Sequence, residues 1–182
     1  EIVRVASEPG LARARNAALP LLSADVIAFP DDDCAYAPTL LERVGGRFEE
    51  DPALDGLSVP VADARGRRDP GWGPDAALLT TRNVWNLVAS AGLFLRRPLL
   101  DPVGRFDEQL GAGGPGPWRS SEETDYVIRA LATGARIAYE KWPNAGVPGE
   151  LSQVLPTPKH FEQASELVTQ EMVKQAFVCG ND

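Results

Sequence analysis

Asp25-Val-Ile-Ala-Phe29 runs directly into Pro30-Asp31-Asp32-Asp33, and no other stretch restricts the fold of this chain as strongly. A short apolar run of this kind reads as a buried strand of a parallel sheet. Three consecutive carboxylates at its carboxyl end repel one another by kcal/mol amounts unless solvent or a cation compensates. In open α/β sheets, ligands collect at that end of the strands. Asp31 and Asp33 are two positions apart, so an extended backbone puts them on one side, and a turn here also converges them. Hard oxygen ligands suit Mg2+ or Mn2+, which take one or two carboxylates plus substrate phosphates. The plainer alternative is an Asp-rich turn leading into the helix that starts near Pro38.

Around that strand the pattern alternates. Glu1–Val5 reads as a short strand, and Leu11, Ala14, Ala18 and Leu22 mark a helix that Pro20 should kink or shorten. Leu40, Leu41, Val44 and Phe48 mark a second helix face. Leu57–Val61, Ala91–Leu95 and Arg136–Tyr139 read as strands, and residues 62–76 as an exposed Gly/Pro-rich loop. Gly111-Ala-Gly-Gly-Pro-Gly-Pro117 should be a mobile loop. Ser120 and Glu123 have the spacing of a capping box that opens a helix through Leu131, stopped by Gly134. Strands alternating with helices predict an α/β layer fold.

The bulk properties exclude some functions. The chain has 182 residues and a formal charge of −8, so it lacks the cationic field that holds nucleic acid or an anionic membrane. A local basic site for one phosphorylated ligand is still allowed. Cys34 and Cys179 have no metal or redox spacing, which makes the cytoplasm the default setting. No apolar run approaches the roughly 18 residues of a membrane span, and none is expected to be a signal peptide. The only methionine is Met172, so both termini are expected to be cut.

Ser120-Ser-Glu-Glu-Thr-Asp125 gathers Glu122, Glu123 and Asp125 in one helical turn. Acidic residues are favoured there by the helix dipole alone. The chemical alternative is a carboxylate that takes the proton from an attacking hydroxyl, behind a loop that closes and excludes water. Trp118, just ahead of the acids, offers either a stacking surface for a sugar ring or an anchor between loop and core.

Five strings in order over residues 1–140 resemble an inverting glycosyltransferase of family 2. They are Gly10-Leu-Ala-Arg-Ala-Arg-Asn16, Asp25–Asp33, Gly92-Leu-Phe-Leu-Arg-Arg97, Val103-Gly-Arg-Phe-Asp-Glu108 and Ser121–Leu131. The resemblance implies a partial GT-A fold, a Rossmann-like mixed sheet flanked by helices, with a C-terminal helical tail. It also implies that Asp31 and Asp33 hold Mn2+ or Mg2+ on the diphosphate of a nucleotide-sugar donor, with Asp31 also near the ribose. Arg15 and Asn16 would line the nucleotide side, Trp118 the acceptor side. Glu123 stands second in the family's acidic pair and is the candidate base, with Glu122 and Asp125 beside it. That second place is most often Asp, so the longer Glu leaves open which carboxylate takes the proton. The acceptor would be a hydroxyl of a glycan, lipid or protein, met in the cytoplasm or at the inner membrane face. Family members begin with a strand and loop that hold the nucleotide base, and this chain is expected to start after them.

From about residue 141 the character changes. Trp142-Pro-Asn-Ala-Gly-Val-Pro-Gly-Glu-Leu-Ser152 and Pro156-Thr-Pro-Lys-His-Phe-Glu162 resemble part of a luciferase-like, deazaflavin-dependent oxidoreductase. Residues 159–177 are expected to form one amphipathic helix, with His160 a solvent-facing residue at its start. The expected division is therefore a glycosyltransferase domain over 1–140 and a tail over 141–182 of separate origin. Two competing readings follow: an oxidoreductase fragment, or a remnant that keeps its sheet and catalyses nothing.

Overall fold

In a computed structural model, residues 2–31, 34, 36, 39–61, 75–142 and 176–177 are described. The helices are α1 (Leu11–Ala18), α2 (Leu40–Glu50), α3 (Val84–Leu87), α4 (Arg97–Val103) and α5 (Glu122–Ala132). The strands are β1 (Val26–Ala28), β2 (Gly56–Ser58), β3 (Ala76–Leu78), β4 (Leu93–Arg96), β5 (Ile137–Glu140) and β6 (Ala176–Phe177). They form one mixed sheet in the order β3-β5-β2-β4-β1-β6.

Period-two alternation decides which side chains go to which face. Ile27, Phe29, Leu93, Leu95, Ile137 and Tyr139 turn to one side, where residues of α1, α3, α4 and α5 complete a large core. Ala28, Leu57, Phe94 and Ala138 turn to the other, against Leu41, Val44 and Phe48 of α2. The α2 residues sit at helical spacing, so a single apolar stripe covers that face. The sheet is thus buried on both sides and its strand ends are left to carry the chemistry.

Most expected elements stand within a few residues of their places. Pro20 does shorten the first helix, which passes into a 3-10 turn over Leu19–Leu21. The strand expected over Ala91–Leu95 begins two residues late, because Ser90–Gly92 form a 3-10 turn. The reading of β1 as a parallel strand is half corrected: it is antiparallel to β4 and parallel to the two-residue β6. No strand forms over residues 2–5, which lie exposed. β3 overlaps the expected loop over 62–76 only at Ala76 and was not expected, because Ala76-Ala-Leu78 lacks β-branched residues and lies at the sheet edge. α4 was hidden by Pro98, which a helix tolerates in its first turn.

The capping box did not form. Ser121 precedes α5 with φ +71° and no side chain caps the helix, so the acids of its first turn are released for other contacts. The tail helix expected over 159–177 is corrected at its end, where Ala176 and Phe177 pair with Ile27 and Ala28 as strand. Otherwise residues 143–175, with His160 and most of the oxidoreductase-like strings, lie outside the described residues. Among the described residues no helix is long and apolar enough to cross a membrane.

Gly92 joins the 3-10 turn to β4 where two backbones meet: a Cβ there would lie 2.1 Å from the Val59 carbonyl oxygen. Gly92→Ala should therefore force the strands apart and cost about 2 kcal/mol or more in urea unfolding. A change under about 0.5 kcal/mol would show that the β2–β4 junction relaxes freely.

Candidate active site

Three elements converge at the carboxyl end of β1. The strand delivers Phe29, Pro30 and Asp31, helix α1 delivers Arg15 and Asn16 from its inner face, and α5 delivers Glu122 and Glu123 from its first turn. The 3-10 turn before β4 adds Ser90, and Phe106 and Gly111 reach the same place from the segment between α4 and α5.

Arg15 stands at the centre and is 0% exposed. Its Nη1 donates to Glu122 Oε1 at 2.8 Å and its Nη2 to Asp31 Oδ1 at 3.4 Å. The guanidinium carbon lies 5.8 Å from the Phe29 ring centroid and 5.4 Å from that of Phe106. Those rings supply cation–π attraction where water is absent. Phe106 meets Phe29 edge-on and stacks on Tyr126 at 4.1 Å, which fixes the aromatic wall.

Asn16 makes its bonds inward. Its amide accepts from the Phe106 N–H at 2.7 Å and donates to the Phe106 carbonyl at 3.0 Å and to Glu108 at 2.9 Å. It thereby clamps the aromatic segment to α1, and its side chain is engaged with protein rather than turned toward a nucleotide. Arg15 likewise acts from within the wall.

Asp31 is the accessible acid, with its side chain 37% exposed. It accepts from Arg15 and, through Oδ2, from the Ser90 hydroxyl at 3.2 Å. Asp33 lies outside the described residues. Glu122 is 4% exposed and engaged by Arg15. Gly111, at φ +83°, fits against it because a Cβ there would lie 2.9 Å from Glu122 Oε2. Gly113 packs on Gly10, and the Leu11 N–H donates to the Ala112 carbonyl at 2.9 Å, so the glycine-rich turn rests on the start of α1.

Glu123 is partly buried, and its carboxyl is raised to about 7, mainly by burial and then by the negative charge of Glu122. A hydrogen bond between the two carboxyls also favours the protonated form. Asp125 points its charge along the helix instead, paired with Arg129 at 2.8 Å. Trp118 is 70% exposed on the loop ahead of α5.

The structure thus brings together Arg15, Asp31, Glu122 and Glu123, and sets Asp125, Asn16 and Trp118 in separate local environments. Ser90, Phe29, Phe106 and Gly111 are additions that the sequence reading missed as site residues. Phe106 lies inside Val103–Glu108, a string singled out for its pattern, but nothing in the local sequence marks Ser90.

A raised carboxyl binds its proton more tightly folded than unfolded, so its contribution to stability is complete below about pH 4.5 and lost as pH rises through about 7. Glu123→Gln should flatten that fall, seen as a melting temperature less dependent on pH between those limits. An unchanged slope would place the raised carboxyl elsewhere.

A sequence profile described as glycosyl transferase family 2 matches residues 1–99. No curated protein matches the chain in sequence. Among solved structures, S. aureus TarS superposes with TM-score 0.55 at 20% identity, over 84% of this chain and 25% of TarS. A TarS structure of residues 1–349 gives TM-score 0.54 at 21% identity, over 84% of this chain and 42% of that one. The chain therefore spans less than half the length of either, and at this identity the likeness establishes the fold.

Proposed function

The chain belongs to glycosyl transferase family 2 and holds part of a GT-A fold, and on that premise we propose that it moves a sugar from a nucleotide-activated donor to a hydroxyl acceptor with inversion. One observation carries the reading: Arg15 holds an accessible aspartate at the end of β1 beside the acidic first turn of α5. That juxtaposes a place for a charged leaving group with a place for a proton acceptor.

The donor side rests on Asp31. Its oxygens are hard and reachable, and Mg2+ or Mn2+ commonly takes one or two carboxylates with substrate phosphates and water filling its other positions. Among the described residues no group of three or more His, Cys, Asp or Glu could hold a metal, so a cage built from those residues alone is not the fitting arrangement. A site completed by the diphosphate is, with Asp33 as the second carboxylate. When bound, the ion would neutralise charge on the departing diphosphate.

On the acceptor side Glu123 is the base. A carboxyl titrating near 7 is ionised in part at neutral pH yet holds a proton well, the compromise that suits general-base work. The acceptor oxygen forms its bond to the anomeric carbon and passes its proton to Glu123. The bond from that carbon to the phosphate oxygen breaks, and its electron pair leaves with the nucleoside diphosphate. Glu122 is occupied by Arg15 and Asp125 by Arg129, which supports Glu123 over its neighbours. Trp118, exposed ahead of α5, offers a face for the acceptor sugar or lipid-linked glycan. The cytoplasm, or its membrane face, is the setting this reading implies.

Calorimetry with Mn2+ plus UDP should show binding that Asp31→Asn and Asp33→Asn each weaken. Equal affinity in wild type and both variants would sink the metal assignment. In a transfer assay Glu123→Gln should lower the rate by a factor on the order of 10²–10⁴ while unfolding changes little. If Glu122→Gln or Asp125→Asn abolishes transfer and Glu123→Gln does not, the base is that neighbour.

A further inference from the structure

We infer that Arg15 is a positioning residue of the donor site, a buried permanent cation that locks Asp31 to the first turn of α5 and makes the site take a divalent ion together with a diphosphate in preference to the ion alone. The inference rests on the donor-site reading above.

Three features carry it. Arg15 is wholly buried, packed against the contacting pair Phe29 and Phe106 and held by two carboxylates, so leaving its place would break both sets of contacts. A guanidinium does not lose its proton in proteins, so the charge is permanent. The cation is also shared unequally, 2.8 Å from Glu122 and 3.4 Å from Asp31, and Glu122 is buried while Asp31 is open. Glu122 is thus the closer counter-ion, and Asp31 is the carboxylate of the two that solvent reaches. The Arg15 Nε is buried without a partner among the described residues, so the wall holds more donor capacity than its two carboxylates use.

The consequence follows from charge. A bare divalent ion approaching Asp31 meets a carboxylate already paired with Arg15, whose positive charge offsets part of the attraction even with Glu122 beside it. A nucleoside diphosphate carries enough negative charge to reverse that sign, so the same guanidinium attracts the metal–diphosphate complex. Arg15 also holds α5, and with it Glu123, at a set distance from the donor aspartate. It touches no reacting atom and acts through Asp31 and Glu122.

The test is calorimetry of Mn2+ alone and of Mn2+ with UDP on the wild-type chain, Arg15→Met and Arg15→Lys, each held at a temperature where circular dichroism shows it folded. Arg15→Met should bind bare Mn2+ about tenfold more tightly and Mn2+ with UDP about tenfold more weakly, roughly one short-range charge in a solvent-bordered site. General loosening of the structure would weaken both. Arg15→Lys, which keeps the charge and loses the fork, should restore the wild-type preference. Where Arg15→Met leaves Glu122 stranded and unfolds, Arg15→Met/Glu122→Gln read against Glu122→Gln isolates the same charge. Changes of the same sign, or none, overturn the inference while leaving the donor site standing. If wild type binds neither Mn2+ nor its UDP complex, the donor-site reading fails and this inference falls with it.

Discussion

A guanidinium with no exposure to water has to be surrounded by its partners, and that requirement at Arg15 organises this end of the molecule. An ion taken from water loses several kcal/mol of hydration, recovered only if its counter-charges arrive in good geometry. Here they come from two different elements, Asp31 after β1 and Glu122 at the start of α5. Helix α1, strand β1 and helix α5 must therefore meet at one point. The pair adds little net stability compared with an apolar replacement, but losing either partner is costly, so the geometry is held tightly. Stability is traded for position at the place where a reaction needs position.

The layer around Arg15 is built to keep water out. Phe29 and Phe106 meet edge-on and together cover one side of the guanidinium, Tyr126 backs Phe106, and Asn16 closes both backbone groups of Phe106 to α1. Low polarity strengthens each of these interactions and would equally punish an unpaired group. Gly111 and Gly113 then let the turn after Leu110 settle onto Glu122 and Gly10, at φ values where a side chain would be strained. The turn that reads as mere Gly/Pro-rich loop in the sequence has a packing reason for two of its glycines.

That contrast runs through what was legible beforehand. Elements with a strong period were readable: the stripe of α2, the apolar run of β1, and α5 closed by Gly134 at φ +90°. Short elements were not, because α3 has four residues and β3 three, too few to show a period. The acidic clusters could be placed at the site because a strand end and a helix start are defined locally. Their partners could not. The Arg15–Glu122 contact spans 107 positions and the Ser90–Asp31 contact 59, and such pairings exist only once the sheet is assembled. For the same reason Asn16 read as a ligand-facing residue: a motif marks that a residue matters without saying which way it turns.

The two adjacent glutamates show how orientation then becomes chemistry. Consecutive helical residues point about 100° apart, so Glu122 and Glu123, although their carboxyls touch, differ in burial and in their other partners. Glu122 turns inward and pairs with a permanent cation at 2.8 Å. Glu123 is left partly buried beside that negative charge, and both effects push its carboxyl up toward 7. Arg15 pulls the other way, but its charge is mostly answered by Glu122 and ranks last among the causes acting on Glu123. Two identical side chains one residue apart are thereby given separate tasks, one electrostatic and one suited to proton transfer. Exchanging which of them faces Arg15 would exchange the tasks, so the register of α5 against α1, more than the identity of either acid, decides where the proposed base lies.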